Sequence, residues 1–189
     1  MTSRVALLGK PLRRRHSQVM HDAAFEAAGI DAHYELLELE PDAVEAAVTA
    51  ARGPGWLGLQ VTAPYKRMVA GLCDRVEPDA ATIGAVNSVV RSGTGELVGF
   101  NTDAPGFRAG VELAMERPLA GASVVVAGAG GAAHAVVFAC LSAGARQVAP
   151  LRPPSSSLTA LPTSEAHRYR LRGWGILRFR GRSGPRTWR

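Results

Sequence analysis

Apolar positions in the first 149 residues come in short runs, broken by glycine and proline, that alternate between a twofold and a helical period. Val5, Ala6, Leu7 and Leu8 form a strand stopped by Gly9 and Pro11. Met20, Ala24, Phe25 and Ala28 line a helix that Ser17 is placed to cap and Gly29 to end. Residues 33–39 alternate as a second strand, and Pro41 opens an alanine-rich helix over 42–51. A third strand over 58–61 leads through Pro64 into a helix near 65–72, and a short helix covers 78–83. Residues 88–91 and 97–100 flank Ser92-Gly93-Thr94-Gly95, a hairpin signal. A helix follows over 104–115. A continuous apolar strand over 123–127 then leads, through a glycine turn, into an apolar helix over 132–143, with a further strand starting at 147. Strands alternating with helices predict an α/β fold with a mostly parallel sheet.

This pattern divides the chain into a first α/β domain over 1–117, the start of a second unit over 118–149, and an aperiodic tail over 150–189. The tail holds five of the twelve prolines, nine arginines and one acid, and its clearest strand pattern is at 171–179. Such composition usually accompanies disorder. The abrupt change in mid-element leads to the expectation that residues beyond about 149 are a frameshifted or prematurely ended reading of a longer gene.

The net charge of +6 belongs to that tail, because the remaining residues hold 13 basic against 15 acidic side chains. A slightly acidic body without a nucleic-acid motif argues against a nucleic-acid partner, although Tyr169, Trp174, Phe179 and Trp188 stand among the tail arginines. Apolar runs fall short of the roughly 18 residues that span a membrane. Cys73 and Cys140 form neither a disulfide framework nor a metal pattern, so no metal and a reducing, cytoplasmic setting are expected. Oligomeric state leaves no signature.

Candidate chemistry lies where strands run into helices. Gly128-Ala129-Gly130-Gly131-Ala132-Ala133 is a G-x-G-x-x-A turn between an apolar strand and an apolar helix. Gly128 permits the tight turn, Gly130 lets the backbone approach a pyrophosphate, and Ala133 allows close helix–strand packing. The same turn with no ligand is the plainer alternative. An acid that would bind the ribose hydroxyl of NAD is absent after the next strand. Arg152 stands there instead, fitting the 2′-phosphate of NADP or belonging simply to the arginine-rich tail. Val61-Thr62-Ala63-Pro64-Tyr65-Lys66 carries one of only two lysines, in a chain that otherwise uses arginine. A lysine can lose its proton where an arginine cannot, although a solvated helix-surface lysine also fits. Asp103, after Asn101-Thr102, is either a functional carboxylate or a helix cap. Asn87 is either a ligand group or a buried structural amide.

Together, Gly9-Lys10-Pro11, residues 60–66, residues 84–88, Asn101–Asp103 with Gly106-Phe107, and residues 128–133 resemble the shikimate dehydrogenase family, quinate/shikimate dehydrogenases included. The resemblance covers residues 4 to about 149. It implies an N-terminal substrate domain followed by a Rossmann domain for NADP, or NAD in quinate-active relatives. It also implies reversible reduction of 3-dehydroshikimate to shikimate, a step toward the aromatic amino acids. In that frame Lys66 is the general acid/base and Asp103 its orienting partner, while Thr62 and Asn87 bind ring hydroxyls. Ser17 matches the second serine of a Ser-x-Ser pair that holds the substrate carboxylate, and Arg15 stands where the first would be. A guanidinium can pair bidentately with that same carboxylate, or the run Arg13-Arg14-Arg15 simply faces solvent. Gln60 stands where the family usually has Asn. The further βα units and closing helices that the resemblance implies are not recognisable after residue 149, which leaves a non-catalytic fragment that binds a small carboxylate as the alternative.

Overall fold

Strand after strand, the first hundred residues return to a single sheet. The computed structural model describes residues 2–13, 15–128 and 130–151, and the chain divides into two units, residues 1–102 and Asp103 onward. The first unit runs β1 (Ser3–Gly9), α1 (His16–Ala27), β2 (Ala32–Glu38), a 3-10 turn (Pro41–Ala43) into α2 (Val44–Ala50), and β3 (Trp56–Val61). It continues with α3 (Lys66–Ala70), β4 (Arg75–Val76), α4 (Pro78–Ile83), β5 (Ser88–Arg91) and β6 (Leu97–Phe100). The six strands are ordered β2-β1-β3-β5-β6-β4. β1 pairs parallel with both β2 and β3, and β4 with β6, whereas β5 runs antiparallel between β3 and β6.

Successive side chains on a strand face opposite ways. In register, Ala6 lies beside Leu59 and Leu8 beside Val61, and all are buried with Val44 and Val48 of α2, Tyr65, and Val69 of α3. On the opposite face, His21 of α1 stacks on the Tyr34 ring of β2 at 4.5 Å. The helix α1 starts earlier than its expected cap. Its first bond runs from Val19 N–H to the Arg15 carbonyl (3.1 Å), so Arg15 is the N-cap residue and Ser17 falls inside the first turn. The Ser17 hydroxyl is therefore not spent on the helix terminus. The two-residue strand β4 has no sequence periodicity. Its pairing with β6 and the Glu77 N–H to Gly99 carbonyl bond (2.9 Å) create it.

The second unit contains α5 (Asp103–Met115), β7 (Ser123–Ala127), α6 (Gly131–Ser142) and β8 (Gln147–Leu151). The strands pair parallel from Ser123↔Gln147 to Ala127↔Leu151. Leu119, Cys140, Val148 and Ala149 form its buried centre, with Phe107 and Val111 of α5 packed against them. The unit boundary thus precedes α5 instead of following it near residue 117. The strand pattern at 171–179 lies outside the described residues.

Candidate functional site

In the first unit the chain leaves β1 toward β2 on one side, and β3 lies on the other. Crevices in open α/β sheets form outside the carboxyl ends of strands at such a switch point. Here those ends are Gly9-Lys10 and Val61-Thr62. Thr62 N–H donates to the Leu8 carbonyl (2.8 Å) and Lys10 N–H to that of Ala63 (3.1 Å), so the two following loops are tied together. Their proline bonds, Lys10–Pro11 and Ala63–Pro64, are both cis. A Cβ on Gly9 would overlap Thr62 Cγ2 and lie 2.8 Å from Leu12 Cδ2, which explains the glycine. The first loop is also held from β2. Leu12 N–H donates to Glu38 Oε2 (2.6 Å), and Lys10 pairs with Glu40, which raises the lysine pKa.

Lys66 is the first residue of α3 and is half-buried. Tyr65, just before it, is buried and donates its hydroxyl to the Leu39 carbonyl (2.5 Å), while Val86 N–H donates to the Lys66 carbonyl (2.9 Å). The backbone from which Lys66 projects is therefore fixed from both sides. Asn87 enters the same end from the antiparallel strand. Its N–H bonds Phe100 O (3.0 Å) and its carbonyl accepts Val61 N–H (2.9 Å). Its side-chain Nδ2 donates to Thr102 Oγ1 (2.9 Å), and its Oδ1 accepts Thr102 N–H (2.8 Å) and Ser88 Oγ–H (3.2 Å). Asn101 is the buried amide of this segment, donating to Ala85 O at 2.9 Å. Thr62, Lys66 and Asn87 are thus brought to one end of one sheet. The participation of Thr102 was not evident from sequence, because it depends on β5 and β6 pairing side by side.

Arg15 and Ser17 lie at the start of α1, Arg15 exposed and Ser17 half-buried, and neither side chain makes a hydrogen bond or ion pair among the described residues. Asp103 opens α5, one peptide bond after Thr102, and belongs to the second unit.

In the second unit the glycine turn has the shape its sequence requires. Gly128 has φ 147°, a conformation that side-chain-bearing residues rarely adopt, and a Cβ there would stand 3.4 Å from Ala133 Cβ. Gly130 is extended at the N-cap of the twelve-residue helix α6, and Gly131 and Ala132 make up its first turn with their N–H groups at the positive end of the helix dipole. Close approach at Gly128, open space beside Gly130 and a helix N-terminus together suit a pyrophosphate. Ala129 and Arg152 lie outside the described residues.

Fold and site together define an α/β unit with Thr62, Lys66 and Asn87 at one end of its sheet, followed in the chain by a βαβ unit with a dinucleotide-type glycine turn. Residues 7–89 match the model of the shikimate dehydrogenase substrate-binding domain. A shikimate dehydrogenase (NADP(+)) of Anaeromyxobacter is 46% identical over 148 residues, covering 77% of this chain and 52% of that protein. The solved Thermus thermophilus shikimate 5-dehydrogenase, in complex with NADP(H) and shikimate, is 38% identical with a TM-score of 0.71, over 79% of this chain and 55% of that one. A 5-ketofructose reductase of Gluconobacter is 32% identical with a TM-score of 0.70, over 79% and 53%. Over these stretches the chain is similar to the shikimate dehydrogenases, and it spans about half the length of the curated relatives it matches. Among the described residues no helix is long and apolar enough to cross a membrane, and no acid, histidine or cysteine cluster could hold a metal.

Proposed function

We propose that this chain carries the substrate site and catalytic lysine of an NADP-dependent oxidoreductase that interconverts 3-dehydroshikimate and shikimate. The observation that carries the reading is Lys66, set on a doubly anchored helix start beside the Thr62 loop and at the strand end shared by Asn87. Bound NADPH would supply the hydride to the ketone carbon, with Gly128–Ala133 and Arg152 as its proposed contacts and NAD as the alternative. As that carbon gains its hydride, the carbonyl oxygen gains a proton. Lys66 as an ammonium donates it, and as a neutral amine takes it back in the reverse reaction. Asp103 orients Lys66, Asn87 and Thr62 hold ring hydroxyls, and Ser17 with Arg15 holds the carboxylate. The ligands are small molecules, the setting is cytoplasmic, and neither nucleic acid nor membrane is a partner.

The test is turnover by the full 189-residue chain, followed by the absorbance of reduced nicotinamide, alongside shikimate binding by calorimetry. Lys66→Ala is expected to lower kcat by about 10²-fold or more while shikimate still binds. Near-normal kcat in the variant removes the role of Lys66. Binding without turnover in the wild-type chain selects the non-catalytic carboxylate-binding alternative. A second substrate reading has its own support. The likeness to a 5-ketofructose reductase, together with Arg15 and Gln60 at positions where the family differs, favours trying quinate and polyhydroxy ketones in the same assay.

A further inference from the structure

The end of β2 reaches across to the loop that follows β1. Glu38 is in register with Gly9, so the carboxyl ends of the two strands lie side by side. From there Glu38 Oε2 accepts the Leu12 N–H at 2.6 Å. Pro11 has no N–H to offer, and that of Lys10 is taken by the Ala63 carbonyl (3.1 Å). Leu12 is therefore the next backbone donor along the loop, and Glu38 meets it with a charged acceptor, the stronger kind of hydrogen bond. Leu12 is half-buried, with its side chain beside Gly9. Glu40 pairs with Lys10 close by, but that pair joins two long exposed side chains and contributes little. The Glu38 bond is different in kind, because it fixes main chain.

Arg15 and Ser17 follow Leu12 by three and five residues. Three residues of extended chain span at most about 11 Å, so holding Leu12 limits where Arg15 can stand. On the far side of the pair, α1 is tied to β2 again. Asp22 Oδ1 accepts the Tyr34 N–H (2.7 Å), and the His21 ring stacks on that of Tyr34. The strand β2 thus holds the connection from β1 to α1 at both ends, at Leu12 before the pair and at Asp22 after it. The side chains of Arg15 and Ser17 make no hydrogen bond or ion pair among the described residues. Their placement is set by backbone held elsewhere.

We propose that Glu38 is the positioning residue of the carboxylate-holding pair, fixing the Leu12 backbone so that Arg15 and Ser17 meet the acid group of the ligand. This rests on the functional reading above and adds to it the residue that sets the loop. Glu38 acts here through the loop and not on the ligand. Its negative charge opposes an anionic ligand, whereas its hydrogen bond favours one. The two contributions have opposite signs, so substitutions separate them.

The experiment is calorimetric titration of the full chain with shikimate, each variant checked for folding by its thermal melt. Glu38→Ala removes charge and acceptor together, and about threefold to tenfold weaker binding is expected. Loss of the negative charge alone would tighten binding of an anion. Glu38→Gln keeps a carbonyl acceptor for the Leu12 N–H without the charge, and should bind at least as tightly as the wild-type chain. Glu38→Met, which keeps the length but not the acceptor, replaces the alanine variant if that one fails to fold. In a Ser17→Ala background the loss of the Glu38 acceptor should weaken binding less than it does in the wild-type chain, because part of what it positions is gone. Unchanged or tighter binding without the acceptor overturns the inference alone. So does a glutamine variant as weak as the alanine one, or full additivity with Ser17→Ala. Absence of shikimate binding by the folded wild-type chain overturns the functional reading and this inference with it.

Discussion

The two units of this chain solve the packing problem with unequal means. Residues 1–102 close six strands over a core in which Ala6, Leu8, Val44, Val48, Leu59, Val69 and Leu97 are at most 1% exposed. The described part of the second unit pairs two strands around a centre of Leu119, Cys140, Val148 and Ala149. Its helix α6 is apolar except for His134 and Ser142, yet only Ala135, Ala139 and Cys140 are buried along it, and Leu141 is 57% exposed. A helix of that composition is ordinarily enclosed on all sides. The proposed substrate groups Thr62, Lys66 and Asn87 therefore stand on the better-buried unit, while the glycine turn stands on the unit with the smaller core. Local opening is expected to follow the same division.

The largest effect should come from the core of the first unit. Leu8→Ala removes a fully buried side chain between β1, α2 and α3, and a loss of about 2–5 kcal/mol is expected. Leu113→Ala in α5, 81% exposed, should change stability by less than about 0.5 kcal/mol. Hydrogen exchange read peptide by peptide checks both the size and the location. In the wild-type chain, amides of β7 and β8 should exchange well before those of β1 and β3. Equal protection in the two sheets would erase the contrast between the units.

Much of this division was legible in the sequence, because each element carries its own period and punctuation. The hairpin around Ser92-Gly93-Thr94-Gly95, the helix Pro78–Ile83 and the strand Ser123–Ala127 have the bounds that their residues predict. Local pattern failed where pairing between distant segments decides. The strand β4 exists only beside β6, α1 takes Arg15 as its N-cap instead of the available serine, and α5 groups with the second unit. The site shows the same limit. Lys66, Thr62 and Asn87 stand in recognisable strand–helix turns, but Glu38 reaches Leu12 only because β2 pairs with β1. No spacing in the sequence encodes that contact.

Glycine substitutions sharpen the comparison at an intermediate size, because the two units need glycine for different reasons. At Gly9 the limit is space. An added Cβ overlaps Thr62 Cγ2, and overpacking of this kind costs about 1–3 kcal/mol. Gly9→Ala should also weaken shikimate binding, since Thr62 must move. At Gly128 the limit is the backbone, with φ 147° and ordinary contact to Ala133. Gly128→Ala should cost about 1–3 kcal/mol through conformation and leave shikimate affinity unchanged. Melting curves paired with calorimetry separate the two. Loss of shikimate affinity in Gly128→Ala would show that the units do not divide the work in this way.

Acid titration should give the smallest effect, and it tests each unit through one carboxylate. In the first, Arg52 and then the Leu97 N–H hold Asp74 below its ordinary value of 3.8. In the second, the Leu119 N–H and then Arg108 hold Glu112 below 4.5. A carboxylate depressed on folding stabilises the fold above its unfolded pKa, and that contribution is lost as pH falls through the lower folded value. Glu112 should therefore begin to lose its contribution below pH 4.5, ahead of Asp74 below pH 3.8. Both side chains face solvent, so screening keeps the effects small and salt-sensitive. Asp74→Asn and Glu112→Gln should each lower Tm slightly at neutral pH, with the deficit shrinking as the wild-type carboxylate protonates. A Tm deficit that stays constant through that range would mean that the lost hydrogen-bond geometry, and not the charge, ties Leu97 and Leu119 to their carboxylates.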